Sequence, residues 1–249
     1  MKSYLKEMSI GEVIDGSVRL YFRNFVTIFL IYLVPLFIAE IIVIGLWPYG
    51  NPSEPADQVL VLLLRLAAAV PASAATTVAV SEIALGQKPR VTRAYGRVFD
   101  VLGRFLWTYL LVMLIFIVGF ALLVVPGVIA MVLLMFATVA VILERRGGLD
   151  ALKRSIQLGK GYYLRNLGAF LLTMALIYIV DLVIGFLLAF LVLAFDDIQQ
   201  PGIVVRLVFA VFSNLFTPII LITTALLYYD LRVRKENYDT ATLAQDLVG

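Results

Sequence analysis

The chain has 249 residues, of which 62% are hydrophobic and 15% charged, and its formal net charge is +3. This composition excludes an ordinary soluble domain and indicates a protein built for a membrane. Cysteine and histidine are both absent, which excludes disulfides, metal sites made of either residue, thiol nucleophiles and histidine general bases. We therefore expect no cofactor and no metal.

The basic residues are distributed very unevenly. Eighteen of the twenty Lys and Arg residues lie in four segments, which are 1–24, 86–104, 144–165 and 230–249. The charges in loops 47–57 and 196–202 are all acidic. Because basic loops stay in the cytoplasm, this pattern predicts a multi-pass protein of the cell membrane with both termini cytoplasmic. Its basic surface then faces the anionic inner leaflet of the lipid bilayer, so nucleic acid is not expected as a partner.

Apolar runs long enough to cross a bilayer predict six transmembrane helices, near 25–47, 58–84, 105–125, 127–143, 167–195 and 203–229. A turn at Val125, Pro126 and Gly127 separates the third from the fourth, because proline cannot continue a helix and glycine tolerates positive φ. The prolines inside other runs, Pro35, Pro71 and Pro218, are expected to kink their spans.

Each basic segment that precedes an outgoing span has the pattern of an amphipathic helix. The first begins with a capping box of Ser9 and Glu12, and the three end at Arg23, Arg104 and Arg165. We predict that these helices lie on the membrane surface. The returning spans close on Glu82, Glu144 and Asp230.

This recurrence predicts three tandem units, each a surface helix followed by a transmembrane hairpin. Within a single transmembrane domain, 1–249, the units cover 1–85, 86–146 and 147–235, and a cytoplasmic tail follows at 236–249. An alternative stays open, since any interfacial helix favours an arginine and an aromatic residue at the headgroup boundary.

An acidic side chain at a helix C-terminus is disfavoured by the helix dipole and needs a basic partner. We therefore predict structural ion pairs between the closing acids, Glu82, Glu144 and Asp230, and the arginines that end the surface helices. Their role would be to fix each surface helix to the bundle.

Polar residues inside the spans form a second set of candidates, which comprises Glu40, Arg65, Asp181, Arg206 and Asn214. A charge near the bilayer centre costs about 2.5 to 3.5 kcal/mol, so these residues should face protein or water. Glu40 and Arg65 lie at similar depth and are expected to pair. Asp181 has only Arg206 as an obvious partner, which makes it the best candidate for a functional carboxylate.

Several motifs resemble the membrane domain found in some glycerophosphoryl diester phosphodiesterases. They are Gly11 to Ser17 leading to Tyr21 to Phe25, the Val125 to Gly127 turn, Leu152 to Ser155 with Gly159 to Gly161, and Leu227 to Arg232 with Arg234 to Glu236. In enzymes of that family a separate catalytic barrel uses histidine, carboxylates and a divalent metal. The resemblance therefore implies a stand-alone membrane domain and carries over no activity.

Three function classes remain open. The first is a non-catalytic scaffold or a subunit that modulates a membrane-protein partner, and it agrees best with the basic cytoplasmic face. The second is a transporter or channel for a small solute or lipid, which the kinking prolines and buried charges favour. The third is an intramembrane enzyme that uses only carboxylates, and it needs a clustered pair that the predicted depths do not offer. We expect the protein not to be an enzyme.

Overall fold

The computed structural model of the protein describes residues 4–47, 54–195 and 202–248. Within these ranges the chain forms eleven helices and no strand. They are α1 (Ile10–Arg23), α2 (Phe25–Leu46), α3 (Pro55–Ala84), α4 (Val91–Leu122), α5 (Val124–Leu134), α6 (Ala137–Glu144), α7 (Leu149–Gly159), α8 (Tyr163–Phe195), α9 (Ile203–Phe212), α10 (Thr217–Glu236) and α11 (Thr240–Val248).

Six helical stretches of the described chain are long and apolar enough to cross a membrane. They are Phe25–Leu46, Pro55–Ala84, Val91–Leu122, Val124–Glu144, Tyr163–Phe190 and Ile203–Glu236. Large apolar side chains cover their outer surfaces, and Phe186 in α8 is 72% exposed. Such a surface is stable in lipid, where apolar side chains need no protein cover. The predicted all-α polytopic membrane fold is confirmed.

The middle of the chain differs from the prediction. The expected surface helix at 89–104 and the span that follows are one continuous helix, α4, with Arg104 and Phe105 in its interior. By contrast, Asn24 separates α1 from α2, and a turn with Gly161 at positive φ separates α7 from α8. The first and third predicted units are thus alike, and the second lacks their break. The three-fold repeat and the unit boundaries stay predictions.

The hairpin between α4 and α5 turns earlier than predicted. Leu123 is extended and separates the two helices, while Pro126 lies in the first turn of α5, where a proline needs no intrahelical donor. Gly119 and Gly127 face each other across the hairpin, and a Cβ atom on Gly119 would lie 3.1 Å from the Cα of Gly127. Two residues without side chains let the backbones approach closely.

The three prolines have different outcomes. Pro35 and Pro71 lie inside α2 and α3, as expected. Pro218 lies in the first turn of α10, after a break in the sixth span at Ser213 to Phe216, so it does not kink a helix. The expectation for Pro218 is wrong because the span is already interrupted before it.

The amphipathic helices pack on protein more than predicted. The capping box of Ser9 and Glu12 is present at the start of α1. However, Leu20 and Tyr21 of α1 are fully buried, and the Tyr21 hydroxyl donates to the carbonyl oxygen of Leu215. The buried side of α1 therefore contacts the bundle, and its position on the membrane surface stays a prediction. Helix α7 likewise buries one side.

The tail, predicted as 236–249, includes an ordered helix. Asp239 accepts a hydrogen bond from the backbone N–H of Thr242 and begins α11. Tyr238 and Leu243 are almost completely buried against the bundle. Hydrogen bonds and ion pairs join α11, α7, the start of α4 and the end of α10 at one end of the bundle, which we call the basic end.

Candidate functional site

The first ion network at the basic end is centred on Asp230, whose carboxylate is fully buried. Arg165 of α8 donates to it across 2.8 Å, and Arg234, one turn further along α10, donates across 3.0 Å. The backbone N–H of Met8 donates across 2.6 Å, and both arginines also bond the Met8 carbonyl. Asp230 thus joins the N-terminal segment to α8 and α10.

The second network is centred on Glu144 at the end of α6. Arg154 of α7 lies 2.7 Å from its carboxylate and also makes a bidentate contact with Glu236 of α10. The hydroxyl of Tyr228 donates a further bond to Glu144. Burial would lower the pKa of Arg154, but the bonds to Glu236 and Glu144 raise it above its usual value. Arg154 is therefore charged and fixes α7 to two other helices.

The third acid, Glu82, lies in the last turn of α3 and is buried. Its partner is Arg93 in the first turn of α4, with 3.0 Å between the guanidinium and the carboxylate. This ion contact is not aligned as a hydrogen bond, but the backbone N–H of Arg90 donates to the other carboxylate oxygen across 3.0 Å. Glu82 therefore caps the start of the following helix.

Of the three predicted arginines, only Arg165 pairs with one of the closing acids, namely Asp230. Arg104 donates to the carbonyl of Arg145 and does not reach Glu144. Arg23 is exposed and has no carboxylate within 4 Å among the described residues. The predicted roles of Arg104 and Arg23 as ion-pair partners are wrong because nearer arginines, Arg154 and Arg93, occupy the acids.

The docked helix α11 completes the basic end. Arg232 donates to the Asp246 carboxylate across 2.6 Å, and the Tyr238 hydroxyl donates to the same oxygen across 2.7 Å. The Arg232 guanidinium lies 3.7 Å from the centre of the Tyr238 ring, which makes a cation–π contact. Burial and the bond to Asp246 raise the pKa of Tyr238. The main-chain oxygen of Asp246 accepts from Arg97 of α4.

Internal pairing leaves an excess of positive charge on the surface. Seven exposed basic residues have no carboxylate within 4 Å in the described part of the chain: Arg23, Lys88, Arg90, Arg104, Lys153, Lys160 and Lys235. In the described part of the same segments, three exposed acidic residues have no ion pair: Asp100, Asp150 and Asp239. The surface of these segments is therefore electropositive.

Inside the spans, the structure brings Glu40 of α2 and Arg65 of α3 together. Two parallel hydrogen bonds of 3.1 Å join the guanidinium to the carboxylate. The carboxylate side is mostly covered, while the Arg65 side chain is half exposed. A bidentate pair satisfies both charges at hydrocarbon depth and fixes the register of α2 on α3.

The other intramembrane candidates are not brought together. Arg206 of α9 donates to the carbonyl of Trp47 across 2.8 Å, and it makes no ion pair with Asp181. Asn214 bonds the carbonyl of Ala210, one turn earlier, and so ends α9 locally. Asp181 of α8 is partly covered, and its Oδ1 atom is buried without a hydrogen-bond partner in the described structure.

Within the described ranges, no group of three or more Asp or Glu residues lies close enough together to bind a metal ion. The networks described above are each balanced by arginine, so their carboxylates are occupied by internal partners.

Several residues of these networks were missed from the sequence. Two ion pairs could have been predicted, namely Asp230 with Arg234 and Arg232 with Glu236. The members of each pair are four residues apart on one helix and have opposite charges. No local signal indicates that Asp246 and the backbone of Met8 contact α10, because the partners are distant in sequence.

These features define an all-α integral membrane protein with six candidate spans and an ion-paired basic end. The chain belongs to the family described as a domain of unknown function, DUF7847, whose match covers residues 59–231. No curated protein and no solved structure matches the chain.

Proposed function

We propose that the protein is a non-catalytic membrane component, a scaffold or a subunit that modulates a membrane-protein partner, whose basic end lies against an anionic bilayer surface. In this proposal the basic end is cytoplasmic and the membrane is the cell membrane. The observation that carries it is the set of exposed basic residues left without carboxylates, next to apolar helices that face lipid. Internal pairing of the buried acids leaves these cations available for lipid phosphates.

The relation to the membrane domains of glycerophosphoryl diester phosphodiesterases belongs to the same proposal. The resemblance of the motif around Tyr228, Asp230 and Arg232 supports it, and the three residues take part in networks at the basic end. An architectural core of this kind would serve any protein that the domain is attached to or assembles with.

Lipid selectivity tests the proposal. We expect native mass spectrometry of the protein in mixed micelles to show tighter binding of phosphatidylglycerol than of phosphatidylcholine. Each basic residue near an anionic surface contributes about 1 kcal/mol, or roughly fivefold in affinity. The changes Lys88→Gln, Lys153→Gln and Lys160→Gln together should reduce the preference. Lys6→Gln is the matched control, since Lys6 is already paired with Glu12. Equal affinity for both lipids would contradict the proposal.

The partner is tested separately. Purification from the native membrane in mild detergent should recover a second protein in fixed stoichiometry, and Lys88, Lys153 and Lys160 variants should retain it unless the same surface binds lipid and protein. A solitary particle from the native membrane contradicts the scaffold role.

A transporter or channel for a small solute or lipid is the second candidate. The observation that favours it is the interruption of the sixth span between α9 and α10, since unwound backbone inside a membrane is tolerated where it lines a cavity or a site. In proteoliposomes, Asp181→Asn should abolish solute flux. An absence of flux for every solute class would remove this candidate.

A further inference from the structure

Asp181 is the one intramembrane candidate whose side chain has no hydrogen bond or ion pair in the described structure. It lies on the same side of α8 as Thr173 and Ile177, which are both buried, at a spacing of four residues. Its neighbours Leu182 and Val183 face outward and are more than half exposed. The carboxyl group therefore faces the bundle, with its Oδ1 atom buried.

A lone carboxylate in this position is costly. Insertion of an aspartate near the bilayer centre costs about 2.5 to 3.5 kcal/mol, and no hydrogen bond or ion pair within the described ranges offsets that cost for Oδ1. The cation that could offset it, Arg206, instead donates to Trp47. No described side chain satisfies Oδ1, so either a proton on the carboxyl group or a bound ligand must remove its charge.

Two contacts fix the register of α8 on α10. Arg165 bonds Asp230, and eight residues further along α8, the hydroxyl of Thr173 lies 3.4 Å from that of Thr223, seven residues earlier in α10. The helices are therefore antiparallel. Continuing for another eight residues along α8 reaches Asp181 and, along α10, the level of Leu215. Asp181 thus lies level with the break in the sixth span.

The break contains backbone oxygen atoms that a continuous helix would satisfy. The acceptor of a helical bond from residue 218 would be the carbonyl of Asn214, and Pro218 has no N–H to donate. Within the described structure the carbonyl oxygens of Ser213 and Asn214 accept no backbone hydrogen bond. The neighbouring carbonyl of Leu215 is satisfied by Tyr21. Two acceptors are thus left open at this level.

From this juxtaposition we infer that Asp181 and the open carbonyls of Ser213 and Asn214 form an intramembrane site for a small monovalent cation such as Na⁺. All these groups are oxygen acceptors, and the C-terminal end of α9 adds the negative end of its dipole. One bound cation neutralises the carboxylate and satisfies the carbonyls together. The inference goes beyond the proposed function, because the site binds a cation whether or not the protein moves it.

Thermal unfolding and radioactive ²²Na⁺ binding test the site on the full chain in detergent or nanodiscs. At constant pH and ionic strength, replacement of N-methylglucamine by Na⁺ should raise Tm by about 3–6 °C at a concentration about ten times the Kd. About one ²²Na⁺ should bind for each chain. Asp181→Asn should abolish both effects, while Asp150→Asn, an exposed control on α7, should retain them.

A second variant keeps the test decisive if Asp181→Asn does not fold. Pro218→Ala restores an N–H that can bond the Asn214 carbonyl, so it should weaken Na⁺ binding and leave the carboxylate in place. A Tm that is the same in both cations overturns the inference. So does a Na⁺ effect that persists in Asp181→Asn, or a Tm that depends on pH through Asp181 and not on Na⁺, since the carboxyl group is then protonated and holds no cation.

Discussion

Arg165 in α8 donates a hydrogen bond of 2.8 Å to the fully buried carboxylate of Asp230 in α10. The pair joins the two longest helices of the predicted third unit at the basic end. Because the carboxylate is completely buried, its charge depends on these protein partners and not on water.

Loss of the Asp230 charge should therefore be severe. In Asp230→Asn two arginines lose their shared acceptor, and breaking a buried pair typically costs about 3–5 kcal/mol. Denaturant unfolding in mild detergent measures the change in free energy. Asp15→Asn is the matched control, since Asp15 pairs with Arg19 on an exposed surface and should cost about 0–1 kcal/mol. Equal losses for the two variants would contradict the assignment.

The close approach of α4 and α5 gives a second prediction. In Gly119→Leu the new side chain meets the backbone of Gly127 at 3.1 Å, so the hairpin must open. Overpacking of this kind costs about 1–3 kcal/mol in unfolding free energy. Gly103→Leu in the same helix has open space around it and should be neutral or stabilising. If Gly103→Leu proves as harmful as Gly119→Leu, the packing account fails.

The thermal stability of the protein at acidic pH should depend on Glu12. Hydrogen bonds from Lys6 and Ser9 lower its pKa to about 2, against 4.5 for the free side chain. The unfolded chain therefore binds more protons than the folded chain between these two pH values, so the contribution is complete above pH 4.5 and is lost as pH falls toward 2. Glu12→Gln should lose less Tm than the native chain between about pH 6 and pH 3. Parallel profiles for the two proteins would argue against it.

Helix α11 should depend on Asp246 for its docking. Asp246→Asn removes a charged acceptor from Arg232 and Tyr238, and a hydrogen bond to a charged group contributes about 1.5–3 kcal/mol. Amide hydrogen exchange over 240–248 should then quicken by roughly 10-fold to 100-fold, with little change in the spans. Asp150→Asn should leave those rates unaltered. Equally fast exchange over 240–248 in the native chain and in Asp246→Asn would show that α11 is not docked and would contradict the prediction.

The sequence predicted the spans well because hydropathy is local. The ends at Phe25 and Ala84 agree with the structure, and the pairing of Glu40 with Arg65 followed from depth alone. Partners that depend on tertiary packing could not be predicted in this way. Arg154 displaces Arg104 at Glu144 because α7 folds back over the end of α6, and nothing in the local sequence shows that path.

The interruption of the sixth span was missed for a related reason. Residues 203–229 form one long apolar run with Arg206 as its single charged residue, so the run predicts one span that contains Asn214 and has a kink at Pro218. The carbonyl of Leu215 is satisfied by Tyr21 from α1, so a contact distant in sequence stabilises the break. Hydropathy cannot report a break that remains within the apolar run.

Labelling of single cysteines tests the central claim most directly, since the native chain has no cysteine. Glu54→Cys lies just before α3, and Gln157→Cys lies on α7 at the basic end, and both positions are exposed. With a membrane-impermeant maleimide on intact cells, the account predicts labelling of residue 54 only, and labelling of residue 157 only after the membrane is permeabilised. Labelling of residue 157 in intact cells, with residue 54 protected, would contradict it.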